Sequence, residues 1–355
     1  MARATPAETR GQDGAPARRE ITPGAGLRIG TCLTGELTGS RAAHHARELL
    51  ANIERALRGK PDVVLRATVT LIARGHLLLE DVPGVGKTTL AKAIASSIES
   101  EFRRVQFTSD LLPSDLTGLC IPEPQHEPGA PRFVFRPGPV FTNALLADEI
   151  NRANPKAQSA LLEAMNEHTV TVDGTTHPLP DPFFVIATQN PLEHHGTHPL
   201  PESQLDRFMM RLSIGYPSAV HEAEVLREDP STSTLPALSP VVSLEQLRAL
   251  QRLAGQVKFA DPLVSYLLAI VHASRNHQSL ELGVSPRGAL ALRRAAQARA
   301  LIDGRDYCIP EDIQELALDV LSHRVAVDMQ TEARADSQES RWILSEILDG
   351  VPVPF

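Results

Sequence analysis

The stretch His76-Leu77-Leu78-Leu79-Glu80-Asp81-Val82-Pro83-Gly84-Val85-Gly86-Lys87-Thr88-Thr89-Leu90 decides how the rest of the chain is read. The apolar run His76 to Leu79 has the length of a short buried strand, and the loop behind it closely approaches the phosphate-binding pattern G-x-x-x-x-G-K-[ST]. Leu90, Ala91, Ile94, Ala95 and Ile98 then recur at i, i+1, i+4, i+5 and i+8, a helix with one buried face. Strand, glycine loop and helix together bring backbone N–H groups and a helix N-terminus onto anionic oxygens. Pro83, Gly84, Val85, Gly86 and Thr89 would complete the cradle, Lys87 would reach the β and γ phosphates, and the Thr88 hydroxyl would bind Mg²⁺. A nucleotide's phosphates and Mg²⁺ are the expected ligands. Asp81 departs from the pattern, standing where the first glycine belongs and placing an acid beside the phosphate site.

Further short apolar runs at Val105 to Phe107, Ala144 to Ala147, Phe183 to Ala187 and Met209 to Ile214 supply four more strands, with helices between several of them. The expected fold class is α/β, built on a five-stranded, mainly parallel sheet. The run from Ala144 ends in two acids. Asp148 would hold Mg²⁺ through its water shell and Glu149 would polarise a water for attack on the γ phosphate, whereas such a pair taken alone also reads as a solvated turn. Phe183 to Pro191 delivers Asn190, which would orient the attacking water or touch the γ phosphate; a strand-end cap is the alternative. Arg207, in Leu205-Asp206-Arg207-Phe208, suits stabilisation of a transferring phosphoryl group, or else pairs with Asp206. In Ser285-Pro286-Arg287-Gly288, proline opens a helix that would fold Arg287 over the nucleotide as a second charge sensor. Arg293 and Arg294 on the same helix keep a solvated arginine in view.

The chain has 355 residues, enough for two domains, and 42% hydrophobic content excludes disorder as the whole answer. Net charge −8 and only 4% aromatic residues disfavour a general nucleic-acid surface or a base-stacking platform. Cys32, Cys120 and Cys308 have no pairing or metal-ligand spacing and suit a reducing cytoplasm, and no apolar run approaches the ~20 residues that cross a bilayer. Residues 1–40 read as a disordered leader, 41–216 as the α/β core, 217–240 as a Pro/Ser/Thr-rich linker and 241–355 as a helical domain. Two helices are expected between Ala42 and Arg74. Hairpins are expected around Asp173-Gly174 and over about Leu119 to Phe135. His194, His195 and His198 share a loop but lack metal-ligand spacing. Trp342, Met209 and Met210 read as core residues.

Taken together, the chain resembles the AAA+ ATPases, and specifically the MoxR family. The matching text is LLLEDVPGVGKTTLAKAIA, QFTSDLLPSDLTG, FRPGPVFTNALLADEINRANPKAQSALLEAMNE, VTVDGTTHPLP, FFVIATQNP, PLPESQLDRF and SPRGALALRRAAQARALIDGRDYCIPEDI, within about Ala42 to Val325. The resemblance implies a Walker A motif at Gly84 to Thr88, Walker B at Asp148 and Glu149, sensor 1 at Asn190, a trans-acting arginine finger at Arg207 and sensor 2 at Arg287. It implies a P-loop AAA+ core followed by an all-α lid, with the hairpins as inserts of this clade. It also implies homo-oligomeric rings, often hexamers, that hydrolyse ATP to remodel or mature protein clients, among them von Willebrand factor A domain proteins. A nucleic-acid remodeller similar to the MCM helicases is the alternative, which the acidic balance disfavours.

Overall fold

The computed structural model describes residues 39–123, 132–191, 196–230, 232–328 and 337–354. The expected leader, apart from Gly39 and Ser40, and the loop residues His194 and His195 lie outside these. Helices α1 (Gly39–Ala56) and α2 (Pro61–Ile72) come first, α1 burying Ala42, Ala46, Leu49 and Ile53 at alternating steps of four and three. Pro61, with its fixed φ, starts α2 at a position that needs no N–H.

Then follow β1 (Leu77–Glu80), α3 (Lys87–Ser96), β2 (Phe102–Gln106), α4 (Pro113–Thr117), and the antiparallel hairpin β3 (Gly118–Glu123) and β4 (Arg132–Pro137). After β5 (Ala144–Asp148) and α5 (Pro155–Glu167) comes a second hairpin, β6 (Thr169–Val172) and β7 (Thr175–Pro178), turning at Asp173 and Gly174, both at positive φ. β8 (Phe184–Gln189), α6 (Glu202–Leu205) and β9 (Met210–Leu212) complete this part.

The five strands form one sheet in the order β2-β5-β8-β1-β9, every pairing parallel. A parallel sheet covered on both faces needs strands that are apolar throughout, which explains the unbroken runs Leu77–Leu79 and Ala144–Ala147. Alternation still sorts the side chains. Leu78, Leu145 and Val185 face a cluster with Leu161, Leu162 and Met165 of α5, while Leu77, Leu79, Leu146 and Ile186 face the other side. There, α1, α2 and α3 share one apolar cluster with the C-terminal helices.

Those helices are α7 (Ala219–Glu228), α8 (Leu244–Gln256), α9 (Asp261–Arg275), α10 (Pro286–Asp303), α11 (Pro310–Leu321) and α12 (Ser337–Gly350). A short ribbon of β10 (Leu280–Leu282) and β11 (Ala326–Val327) joins the otherwise helical part, an addition that the helical period did not signal. The segment 217–240 contains α7, none of whose side chains is buried. One core expectation fails. Trp342 is 67% exposed, because α12 buries Ile343, Leu344 and Ile347 and turns the position before them outward. Met209 and Met210 are buried as expected.

Candidate active site

In an all-parallel sheet the strands end on one common edge, and the loops leaving β1, β5, β8 and β9 meet there. Gly84 and Gly86 take φ of 86° and 103°, backbone that side-chain-bearing residues rarely adopt. Gly86 caps α3, whose first-turn N–H groups have no partner within the helix and open into the loop. Pro83 and Gly84 are exposed, Val85 is buried, and Thr88 and Thr89 are half-buried in the first turn. Lys87 Nζ donates to the carbonyls of Asp81 and Gln189, at 2.5 and 3.3 Å, so its ammonium spans β1 and β8.

Asp81 does not face the phosphate cradle. Its Oδ2 accepts Ser213 Oγ–H, Ile214 N–H and Gly215 N–H at 2.8, 2.7 and 2.7 Å, and its Oδ1 accepts Val82 N–H at 2.7 Å. Burial pushes the carboxyl pKa up, but these hydrogen bonds outweigh it and hold the group below its usual range. The acid in the glycine position therefore ties the root of the phosphate loop to the chain leaving β9.

Asp148 and Glu149 sit at the end of β5 under close control from neighbouring strands. Asp148 Oδ1 accepts Thr188 Oγ1–H at 2.6 Å, and its Oδ2 accepts Arg104 Nη2 and Nε at 2.6 and 3.1 Å. Glu149 lies at φ 56°, a left-handed backbone for a residue with a side chain, and its N–H donates to the same Thr188 hydroxyl at 2.9 Å. Its Oε2 accepts Gln106 Nε2 at 2.6 Å and Arg152 Nη1 at 3.2 Å. Asn190 is buried directly after β8, its carbonyl accepting Asn151 Nδ2 at 3.5 Å. Lys87, Asp148, Glu149 and Asn190 thus converge from three adjacent strands. Arg104, Gln106 and Thr188 belong to the same site without any motif in the sequence to mark them, whereas Asp81, expected beside the phosphates, is turned to the chain after β9. Gln106 and Asp148 are register partners across β2 and β5, a relation visible only once the strands are paired.

Arg207 and Arg287 lie at the opposite edge. Arg207 immediately precedes β9, where Met209 N–H donates to the carbonyl of His76 at the start of β1. Its side chain has no hydrogen-bond or ion-pair partner among the described residues. The alternative partner, Asp206, is engaged by Arg324 at 2.7 Å and stands 4.0 Å from Arg287 Nε. Arg287 also donates to Asn166 Oδ1 at the end of α5. Both contacts hold Arg287 beside the turn that precedes β9. Its helix packs on α1, α2, α8, α9 and α11, and Arg287 in the first turn meets the end of α5 and the turn before β9. His198 is exposed, and no group of three His, Cys, Asp or Glu among the described residues could hold a metal.

A parallel sheet in this strand order, a glycine loop with Lys87, and an acid pair two strands away define a P-loop nucleoside triphosphatase of the AAA type. Residues 76–210 match the family model of the ATPases associated with various cellular activities (AAA), and residues 272–347 that of the AAA lid domain. Chaperone MoxR1 of Mycobacterium tuberculosis is 39% identical over 320 residues, 88% of this chain and 83% of that one. The uncharacterized protein YeaC of Bacillus subtilis is 50% identical over 303 residues, 85% of this chain and 93% of its own. A crystal structure from Cytophaga hutchinsonii, described as a candidate ATPase, matches at a TM-score of 0.81 and 37% identity, covering 89% of this chain and 97% of that one. The chain belongs to the MoxR family of AAA+ ATPases. It hydrolyses ATP to ADP and phosphate.

Proposed function

We propose that this ATPase acts as a ring, of six subunits, in which each nucleotide is held by one subunit and completed by Arg207 and Arg287 of the next. Turnover would drive remodelling or maturation of protein clients, with von Willebrand factor A domain proteins as the class to test first. The observation that carries this reading is the placement of the arginines at the sheet edge opposite their own phosphate loop. A cation offered from that edge serves a phosphate on another subunit or none. The name of the relative Chaperone MoxR1 supports protein clients, and net charge −8 argues against nucleic acid. We place the protein in the cytoplasm, where its thiols stay reduced.

Within one subunit, the loop amides and Lys87 would hold the β and γ phosphates. Glu149, released from Gln106 and Arg152, would orient the attacking water and accept its proton, with Asn190 fixing the water from the next strand. Thr88 and Asp148 offer a hydroxyl and a carboxylate, the hard oxygen donors that Mg²⁺ selects, and the bound ion would neutralise phosphate charge. Asp148, accepting three hydrogen bonds from Arg104 and Thr188, would act on the ion through its water shell. Charge building on the γ phosphate would be met by Arg207.

Subunit mixing tests the arrangement. Arg207→Ala retains a complete pocket and Lys87→Ala a complete finger, so each alone is expected to be inactive and their mixture to regain activity. A mixture that exchanges subunits and stays inactive across all ratios would refute the shared site. For clients, the Glu149→Gln protein with ATP is expected to retain protein partners from lysate, and stimulation of ATPase by DNA would favour a nucleic-acid substrate instead.

A further inference from the structure

Arg324, in the 3-10 turn Ser322–Arg324 after α11, is 5% exposed although charged. All five of its N–H donors are used. Nε donates to Asp206 Oδ1 at 2.7 Å, Nη2 to the carbonyls of Phe208 and Asp206 at 2.6 and 3.2 Å, and Nη1 to the carbonyl of Met209 at 3.0 Å and to that of Val320. Four of the five bonds grip residues 206–209, the turn whose second residue is Arg207.

The same guanidinium is packed under the first turn of α10. A Cβ on Gly288 would stand 2.8 Å from Arg324 Cδ, so the glycine that follows Arg287 is what lets that turn lie on the Arg324 stem. Asp206 links the two sides, with Oδ1 on Arg324 and Oδ2 4.0 Å from Arg287 Nε. Neither Arg207 nor Arg287 reaches the phosphate loop of its own chain. A planar fork satisfied by three carbonyls and a carboxylate of one short turn fixes that turn's backbone more closely than a lysine could.

We propose that Arg324 is a positioning residue for ATP hydrolysis, holding the Asp206–Met209 turn so that Arg207, and through Asp206 also Arg287, is presented in fixed geometry to the nucleotide of the adjacent subunit. The inference rests on the reading that Arg207 serves a neighbouring site. Arg324 contributes nothing to its own subunit's pocket, so its loss should behave in mixtures like loss of the finger.

The test uses full-length Arg324→Met, Arg207→Ala and Lys87→Ala, each checked for assembly and subunit exchange. Alone, Arg324→Met is expected to lose about 100-fold in kcat with KM for ATP within about twofold, the pattern of an interaction made only as the phosphoryl group transfers. Mixed with Lys87→Ala it should regain at least a tenth of wild-type turnover, and mixed with Arg207→Ala it should regain none. Rescue by Arg207→Ala but not by Lys87→Ala would overturn the proposal by placing Arg324 in service of its own pocket. Failure with both, or wild-type turnover in Arg324→Met alone, would also overturn it. If Arg207→Ala and Lys87→Ala fail to rescue each other, it is the shared-site reading that falls. Should Arg324→Met not fold, Arg324→Lys keeps the charge without the fork and is expected to show the same mixing pattern with a smaller kcat loss; a wild-type rate there would overturn the proposal.

Discussion

Glu149 sits in a left-handed backbone with its carboxylate accepting hydrogen bonds from Gln106 and Arg152. Glu149→Gln keeps the size and the hydrogen bonds while removing the base. ATP binding is expected to persist, measured with a fluorescent analogue, while turnover falls by about 100-fold or more. Asp81 gives a less obvious prediction. Asp81→Gly restores the consensus phosphate-loop glycine, yet it should lower unfolding stability in urea by about 2–3 kcal/mol, because Ile214 and Gly215 lose a charged acceptor for their N–H groups. Unchanged stability would show that the carboxylate is dispensable. At this scale the phosphate loop, Asp148, Glu149 and Asn190 were legible because each sits at a fixed step from a strand end. Arg104, Gln106 and Thr188 were not, since their relation to the acids comes from strand pairing between segments some forty residues apart.

Among the elements, the five strands and both hairpins follow from apolar runs and the Asp-Gly turn, whereas α7 was hidden in a segment rich in proline, serine and threonine. Its sequence AVHEAEVLRE offers no buried face, so periodicity had nothing to register. Trp342 misled for the opposite reason: a large aromatic residue reads as core until the helix phase is known. The corrected phase makes a test. Trp342→Ser should change stability by no more than about 0.5 kcal/mol, whereas Ile343→Ala, one residue on and 1% exposed, should cost about 2–4 kcal/mol in the same unfolding assay. Equal losses would mean that α12 packs through a different face. Arg287 shows the limit of reading an element alone. Ser285 and Pro286 announce the helix start, but which end of the sheet it meets depends on α10 packing against α1 and α2.

Across the whole molecule, His76 ties the start of β1 to β8 and to the end of α5 within one apolar layer. Val185 N–H donates to its Nδ1 and its Nε2 donates to the Met165 carbonyl, so the ring is neutral, and burial chiefly lowers its pKa from 6.5 to about 4. The unfolded chain therefore binds the extra proton between those values. Stability from this group is complete above about pH 6.5 and is lost as pH falls toward about 4, amounting to about 2 kcal/mol by pH 5. Unfolding free energies measured across this window should show a slope one proton smaller in His76→Asn; an unaltered slope would exclude His76 as a source. His323, also buried with a lowered pKa, acts in the same direction.

The sheet carries its phosphate loop at one end and Arg207 at the other, which gives each subunit a polarity along the strands. In the proposed ring, contacts join unlike ends and are heterologous, so an open chain of copies would leave one terminal pocket without its arginine and the other terminal arginine without a phosphate. Only closure uses every end. Under that proposal specific activity should climb more steeply than subunit concentration until rings close, and a subunit that binds ATP but cannot close would act as a chain terminator for its neighbours' catalysis.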